Sequence, residues 1–536
     1  MLLVAALLSA CGGGGGGGSA DVTISGRVSY ERVPFSSATG VGLDYAATTE
    51  LPAREIVVEL LTAGQAVLVT TTTDGNGNYT LTAPANLSVF VRAKSQSRRS
   101  SSPTRNLRVL NNTNGNALYV LDSATFNTGT ANQTRNLLAL SGWGGSSYNG
   151  TRAAAPFAVL DTLYAAAEFV RVNGSSSLNL PPLDAYWSPE NKPTPGNVSD
   201  GNITTTLYRS SSSAGTPAGI YILGFENNDT DEYDQHILAH EFNHFLEGAI
   251  GRTDTPGGTH SLNERLDLRL AFSEGFANAF SAMVLNDPVY SESFGARQAQ
   301  RFSFDLESNV AAPAGWFNEA SIQSLAWDLF DAPADGLDAV ALGYLPLFEA
   351  FTGPLKSGAA LTSFYPLLAS VRGRAGAPVA AIDALAAAQE IDGVGDYGSG
   401  ETNNGSVLQS LPVYSTLVLN GGAQTVCGTR TAGTFNTLGN RLFLRFTLPA
   451  AGTVTILAQY EPFNSTAPFL VSADPDIVLY EAGFLDSAET TTPDVEDLTR
   501  ALQAGEYVIE VYEYSHVDPS ASQRRGNTCF NVTVTG

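Results

Sequence analysis

Short apolar runs dominate the first part of the chain. Val22 and Ile24, residues 55–61 (EIVVELL), 66–72 and 88–94 are β-rich stretches bounded by Gly, Asn and Pro, which predicts strands joined by turns. Asp74-Gly75-Asn76-Gly77-Asn78-Tyr79 falls between two of them and is rich in residues that accept positive φ. A calcium loop fits it less well than a turn: Tyr79 stands where such a loop needs glycine, and Ala85 where it needs an acid. From about residue 133 the spacing becomes helical. Pro156 suits a first helical position, Phe157, Leu160, Leu163, Tyr164, Ala167 and Val170 recur on one face, and Gly174 ends the run. A Pro/Asn/Gly-rich segment, 180–202, leads to candidate strands at 204–209 and 219–224. Helices are then predicted over about 231–248, 265–285, 318–331, 338–351 and 360–372. Strands followed by runs of helices predict an α+β domain. Alternation returns at 441–447 and 507–512, and Asp474-Pro475-Asp476 reads as a turn into a strand. The expected organisation is multidomain: 1–20 leader and tether, 21–132 an all-β sandwich, 133–412 the α+β domain, 413–536 a second all-β sandwich. Residues 392–401 (DGVGDYGSGE) read as a solvated linker, a simpler reading than a calcium loop.

Composition narrows the function. The 536 residues carry a formal net charge of −24 and are 43% hydrophobic. That supports several packed cores and, with no basic stripe, argues against nucleic-acid binding. No apolar run is long enough to span a membrane as a helix. The N-terminus reads as an address: residues 1–10 are apolar and end in small residues, and Leu8-Ser9-Ala10-Cys11 resembles the lipobox of bacterial lipoprotein signal peptides. That resemblance implies export and a lipid on Cys11, the one membrane contact expected. Gly12 to Gly18 would form a flexible tether behind it. The two other cysteines, Cys427 and Cys529, are expected to form a disulfide in an exported chain. It would close a loop of about 100 residues and contribute roughly 2–4 kcal/mol.

The chemistry concentrates at 236–278. His240-Glu241-Phe242-Asn243-His244 is H-E-x-x-H, expected by chance on the order of 0.002 times in a chain with so few histidines. On a helix the two imidazoles lie about 40° apart around the axis and can meet one ion. Glu241 stands beside them to take a proton from a water that zinc has made acidic. Asp229, Asp231, Glu232 and Asp234 crowd the predicted helix start, where acids cap and complement the dipole; capping is preferred to a calcium site. A third ligand is needed. Glu274 is a lone acid in an apolar helical stretch, AFSEGFANAF, costly unless paired or metal-bound. Glu247 competes but sits too close to His244 on the same helix. Asn278, one turn beyond Glu274, could fix a ligand histidine's tautomer.

H-E-F-N-H followed by S-E-G-F-A-N resembles the gluzincin zinc metallopeptidases. That resemblance implies a zincin-like fold with His240, His244 and Glu274 as ligands of one catalytic zinc and Glu241 as general base. Asn278 falls where thermolysin-like members carry Asp, and Ser273 where they carry Asn. Residues 71–81 are similar to carboxypeptidase regulatory-like modules. The 474–480 turn and strand are similar to the pre-peptidase C-terminal domain of secreted peptidases. The expected function is a zinc-dependent peptidase acting on peptides or proteins at the bacterial envelope; calcium is not predicted. The alternative is a non-catalytic surface lipoprotein for adhesion or glycan binding. Tyr233, His260 and Tyr290 are candidate oxyanion donors. His236 reads as either near the ligands or partly exposed, His516 as surface, and Trp327 as core.

Overall fold

The computed structural model describes residues 21–213, 215–308, 311–332, 339–401, 412–430, 435–462, 465, 472–521 and 525–536. The expected leader and tether at 1–20, with Cys11, lie outside the described residues. The molecule combines several β-sheets with a helical layer, and its C-terminal part is a two-sheet β-sandwich.

The central sheet runs in the order Leu207–Arg209, Gly219–Ile222, Leu183–Trp187, Arg105–Asn111, Ser88–Arg99, Ile56–Thr62, Val67–Thr72. Ile56–Thr62 is a nearly continuous apolar run because both its faces are covered. Its one acid, Glu59, is paired with Lys94 at 2.5 Å. Asn78–Pro84 alternates instead, with every second residue buried, as suits one wet face. It belongs to a second sheet built around Asp21–Arg32. The 74–79 segment is thus a turn between two sheets, closed by Asp74 Oδ1 accepting from the backbone N–H of Asn76 and Asn78, both at 2.8 Å. Leu183–Trp187 pairs in parallel with Arg105–Asn111 on one side and Gly219–Ile222 on the other. The expected boundary at 132/133 is therefore crossed by one sheet, and one hydrophobic core extends across it.

Four helices carry the argument: α1 (Ala155–Asn173), α2 (Gln235–Ala249), α3 (Leu268–Leu285) and α4 (Glu319–Phe330). α1 lies against Arg105–Asn111 and α2. α3 is buried along nearly its whole length, sandwiched by α2 and α4. Gly275 makes the α3–α4 approach possible: a Cβ there would lie 2.6 Å from Ile322 Cβ and 2.7 Å from the Glu319 carbonyl oxygen. The helix predicted over 338–351 begins only at Tyr344, preceded by Gly343 at φ 67°.

The C-terminal sandwich packs a five-stranded on a four-stranded sheet around its own core. Cys427 and Cys529 face each other across Gln424–Gly428 and Thr528–Thr535, joined by a disulfide. The sandwich is tied to the start of α3. Arg269, 1% exposed, pairs with Asp267 at 2.9 Å and with Glu510 of the sandwich at 2.8 Å; Glu510 also pairs with Arg441. The 392–401 segment is a largely exposed loop, as expected, but it is anchored at its end. Glu401 is buried and accepts from Tyr365 Oη and the backbone N–H of Asp392 and Gly393. His516 is not at the surface: it is fully buried, its Nε2 hydrogen-bonded to the Gly526 carbonyl, and burial brings it down to about 4. Among the described residues no helix is long and apolar enough to cross a membrane.

Candidate metal centre

α2 is amphipathic around H-E-x-x-H, with Leu238, Phe242, Phe245 and Leu246 packed into the core. That packing turns His240 and His244 toward α3, where Glu274 comes to meet them. His240 Nε2 lies 3.0 Å from His244 Nε2 and 3.1 Å from Glu274 Oε2, and His244 Nε2 lies 3.3 Å from Glu274 Oε2. Ligand atoms around tetrahedral zinc with bonds of 2.0–2.1 Å are separated by about 3.3 Å. The triangle therefore has the size of one face of such a tetrahedron.

The other ring nitrogens are accounted for. Asn278 Nδ2 donates to Glu319 Oε1 and Gln323 Oε1, both at 2.9 Å, which turns its oxygen toward His240. His240 Nδ1–H donates to Asn278 Oδ1 at 2.7 Å, leaving an Nε2 lone pair for the triangle. His244 Nδ1 lies 3.3 Å from Ser273 Oγ and 3.5 Å from Glu247 Oε2, and Ser273 Oγ donates to that same carboxylate at 2.9 Å. Two nitrogen lone pairs and a carboxylate converging in a nearly buried space suit one small divalent cation.

Without a cation, the groups at this place neutralise one another. Burial opposes charge on His244, yet Glu274 and Glu247 outweigh it and hold the ring well above the usual histidine range. Burial likewise raises Glu274, but His244 and His240 overcome it and keep the carboxylate ionised far below its ordinary range. Glu241 differs: burial pushes it up, only partly offset by the two histidines. Its Oε2 accepts from the Tyr208 backbone N–H at 2.6 Å, on the edge strand Leu207–Arg209.

His240, Glu241, His244, Glu274 and Asn278 thus meet at one place. Glu247 does not join the triangle; Ser273 holds it against the outer side of His244. His260 reaches the centre from the loop before α3, its Nδ1 held at 2.8 Å by Glu319 and its Nε2 3.3 Å from Glu274 Oε2. Burial alone would favour the neutral ring, but Glu319 and Glu274 bring it up to about 9. His236 lies buried between α2 and α3, bonded to Ser281 Oγ at 3.1 Å, and burial drops it to about 3. Tyr233 is buried beside Glu232, Arg152 and Arg32, and Tyr290 stacks on Phe304. Trp327 is in the core and donates to Glu307. The acids before α2 do not cap it. Asp234 occupies the N-cap position without a capping bond, and its carboxylate accepts from Ser293 N at 2.6 Å instead. Glu232 pairs with Arg152.

The sequence reading missed Glu319, Gln323 and the Tyr208 backbone, and it assigned Ser273 and Glu247 no orienting role. A third helix and an edge strand supply the first three, and no spacing within the motif points to either. Gly275 beside Glu274 was the available signal that another helix comes close.

No protein-family profile and no curated protein sequence matches the chain. Solved structures similar to part of it include the pre-peptidase C-terminal domain of a Bacillus anthracis collagenase, at 14% identity and TM-score 0.16, covering 23% of this chain and 93% of that one. Another is PliG, a periplasmic g-type lysozyme inhibitor of Aeromonas hydrophila, at 12% identity and TM-score 0.14, covering 23% of this chain and 96% of that one. A third is CorA, a surface-associated copper-binding protein of Methylomicrobium album BG8, at 9% identity and TM-score 0.16, covering 23% of this chain and 98% of that one.

Proposed function

We propose that the protein is a zinc-dependent peptidase whose α+β part is zincin-like. The observation that carries the reading is the triangle of His240 Nε2, His244 Nε2 and Glu274 Oε2 with edges of 3.0–3.3 Å, each histidine oriented by a partner on its far nitrogen. A zinc ion held there supplies Lewis acidity and lowers the pKa of a water toward about 7. Glu241, raised by burial, takes the proton from the attacking water and passes it to the departing amine. His260, fixed through Nδ1 by Glu319, aims Nε2 at the centre and donates to the oxygen that gains charge. The edge strand Leu207–Arg209 pairs only with Gly219–Ile222 among the described strands, and Tyr208 N–H turns to Glu241. An extended substrate that adds to this edge comes to lie beside the base.

The C-terminal sandwich is read as pre-peptidase C-terminal-like and the first strands as carboxypeptidase regulatory-like. The lipobox supports export and anchoring at the bacterial envelope through Cys11. The test is Glu241→Gln in zinc-loaded protein against a peptide library. The variant should keep its zinc and lose at least about 100-fold in hydrolysis. Equal turnover by wild type and variant would reject the peptidase reading and leave an anchored surface protein.

A further inference from the structure

A second group of side chains that could hold a cation lies before the start of α2, on the side of Glu241 and His240. Asp229, Asp231 and Glu292 each present a carboxylate oxygen, all within 4.8 Å of one another. Asp229 and Asp231 lie just before α2, and Glu292 lies in Val289–Phe294, the strand that follows α3. The three acids therefore join the segments entering and leaving the two helices that carry the histidine–glutamate triangle.

Two of these carboxylates each leave a buried oxygen without a hydrogen-bond partner. Asp231 is 0% exposed; one of its oxygens accepts from Thr206 Oγ1, while the other, Oδ1, has no hydrogen-bond partner. Asp229 Oδ1 is likewise buried and unpartnered. An orphaned carboxylate oxygen in a dry site is costly. Among the described residues, no arginine or lysine forms an ion pair with any of the three. Capping does not explain them, because α2 has no side-chain cap. Asp234, the fourth acid nearby, is already committed: it accepts from Ser293 N and Oγ, which fixes the residue next to Glu292. Burial brings Asp229 up to about 6, against hydrogen bonds to Asp231 and the Thr230 backbone that pull it down.

We propose that Asp229, Asp231 and Glu292 form a structural calcium site that ties the start of α2 to the strand after α3. The donors are all oxygen and carry three negative charges, which selects a hard cation over one that prefers nitrogen or sulfur. Asp229 and Glu292 are partly exposed, which gives the ion an entry path. The site is separate from the zinc reading and stands or falls without it.

The test titrates full-length, zinc-loaded protein with calcium chloride after removal of alkaline-earth ions, following bound calcium and Tm. Wild type should bind calcium saturably and gain Tm. Glu292→Gln should weaken that binding by about tenfold or more and abolish most of the gain, with zinc content unchanged. Asp231→Asn should do the same; if it fails to fold, Glu292→Gln, at a partly exposed position, still decides. Absence of a calcium response in wild type overturns the proposal. So does an equal response in wild type and Glu292→Gln, which would place calcium elsewhere, and so does zinc occupying this cluster in preference to calcium. Peptidase activity does not enter the readout, so failure of the zinc reading cannot be mistaken for failure of this one.

Discussion

The two clusters around α2 are built on opposite principles. In the histidine cluster every inner group has an outer partner: Asn278 behind His240, Ser273 and Glu247 behind His244, Glu319 behind both Asn278 and His260. In the acidic cluster the carboxylates face one another, and Asp229 Oδ1 and Asp231 Oδ1 have no hydrogen-bond partner. Nitrogen donors need their far side held to select a tautomer, so the first cluster recruits α3, α4 and a loop. Carboxylates need only neutralisation, so the second recruits two strands. The donor sets match the cation proposed for each: mixed nitrogen and oxygen suits zinc, oxygen alone suits calcium.

Breaking the triangle gives the largest effect. Glu274→Ala should lower zinc affinity by more than about 100-fold, measured by competition with a chelating dye. Glu247→Gln should cost only about tenfold, since it orients His244 without entering the triangle. Reversal of that order would make Glu247 the ligand. Removing the outer partner of His240 falls between these two. Asn278→Ala should weaken zinc by about 10–100-fold, and Asn278→Asp, which restores an acceptor, should recover part of the loss.

The smallest effect sharpens the other side. Glu292 faces Asp229, Glu241 and His240, and Asp231 and Asp234 crowd the same place. Asp229 and Glu292 hold protons more tightly folded than unfolded, where carboxylates titrate near 4. Calcium-free protein should therefore lose stability as pH rises from about 4 to about 7, because the folded state binds more protons across that window. A Tm decline on the order of 5 °C between pH 5 and 8 is expected. It should shrink in saturating calcium or in Glu292→Gln, and a rise over that interval would contradict the assignment.

Local order was legible in the residues; long-range partnership was not. H-E-x-x-H and the isolated Glu274 stood out in the sequence because each lies on a single helix, and the structure brings them together. The extent of α1 followed from spacing and from Pro156 and Gly174, whereas α2 and α3 begin at Gln235 and Leu268, later than the expected 231 and 265. The expected break at 132/133 concealed a parallel pairing of Leu183–Trp187 with Arg105–Asn111, a contact between residues 76 positions apart that no local pattern encodes. The acids before α2 resembled capping groups because capping is the local use of an acid. Their carboxylates instead reach Ser293, Arg152 and Thr206. Arg269 gave no hint that it would be buried against Glu510 of the C-terminal sandwich.

The most direct measurement is a crystal of the zinc-loaded protein with anomalous scattering recorded on both sides of the zinc edge. The account predicts one strong zinc peak about 2.0–2.2 Å from His240 Nε2, His244 Nε2 and a Glu274 carboxylate oxygen. A peak elsewhere, or a Glu274 side chain turned away from both rings, would contradict it.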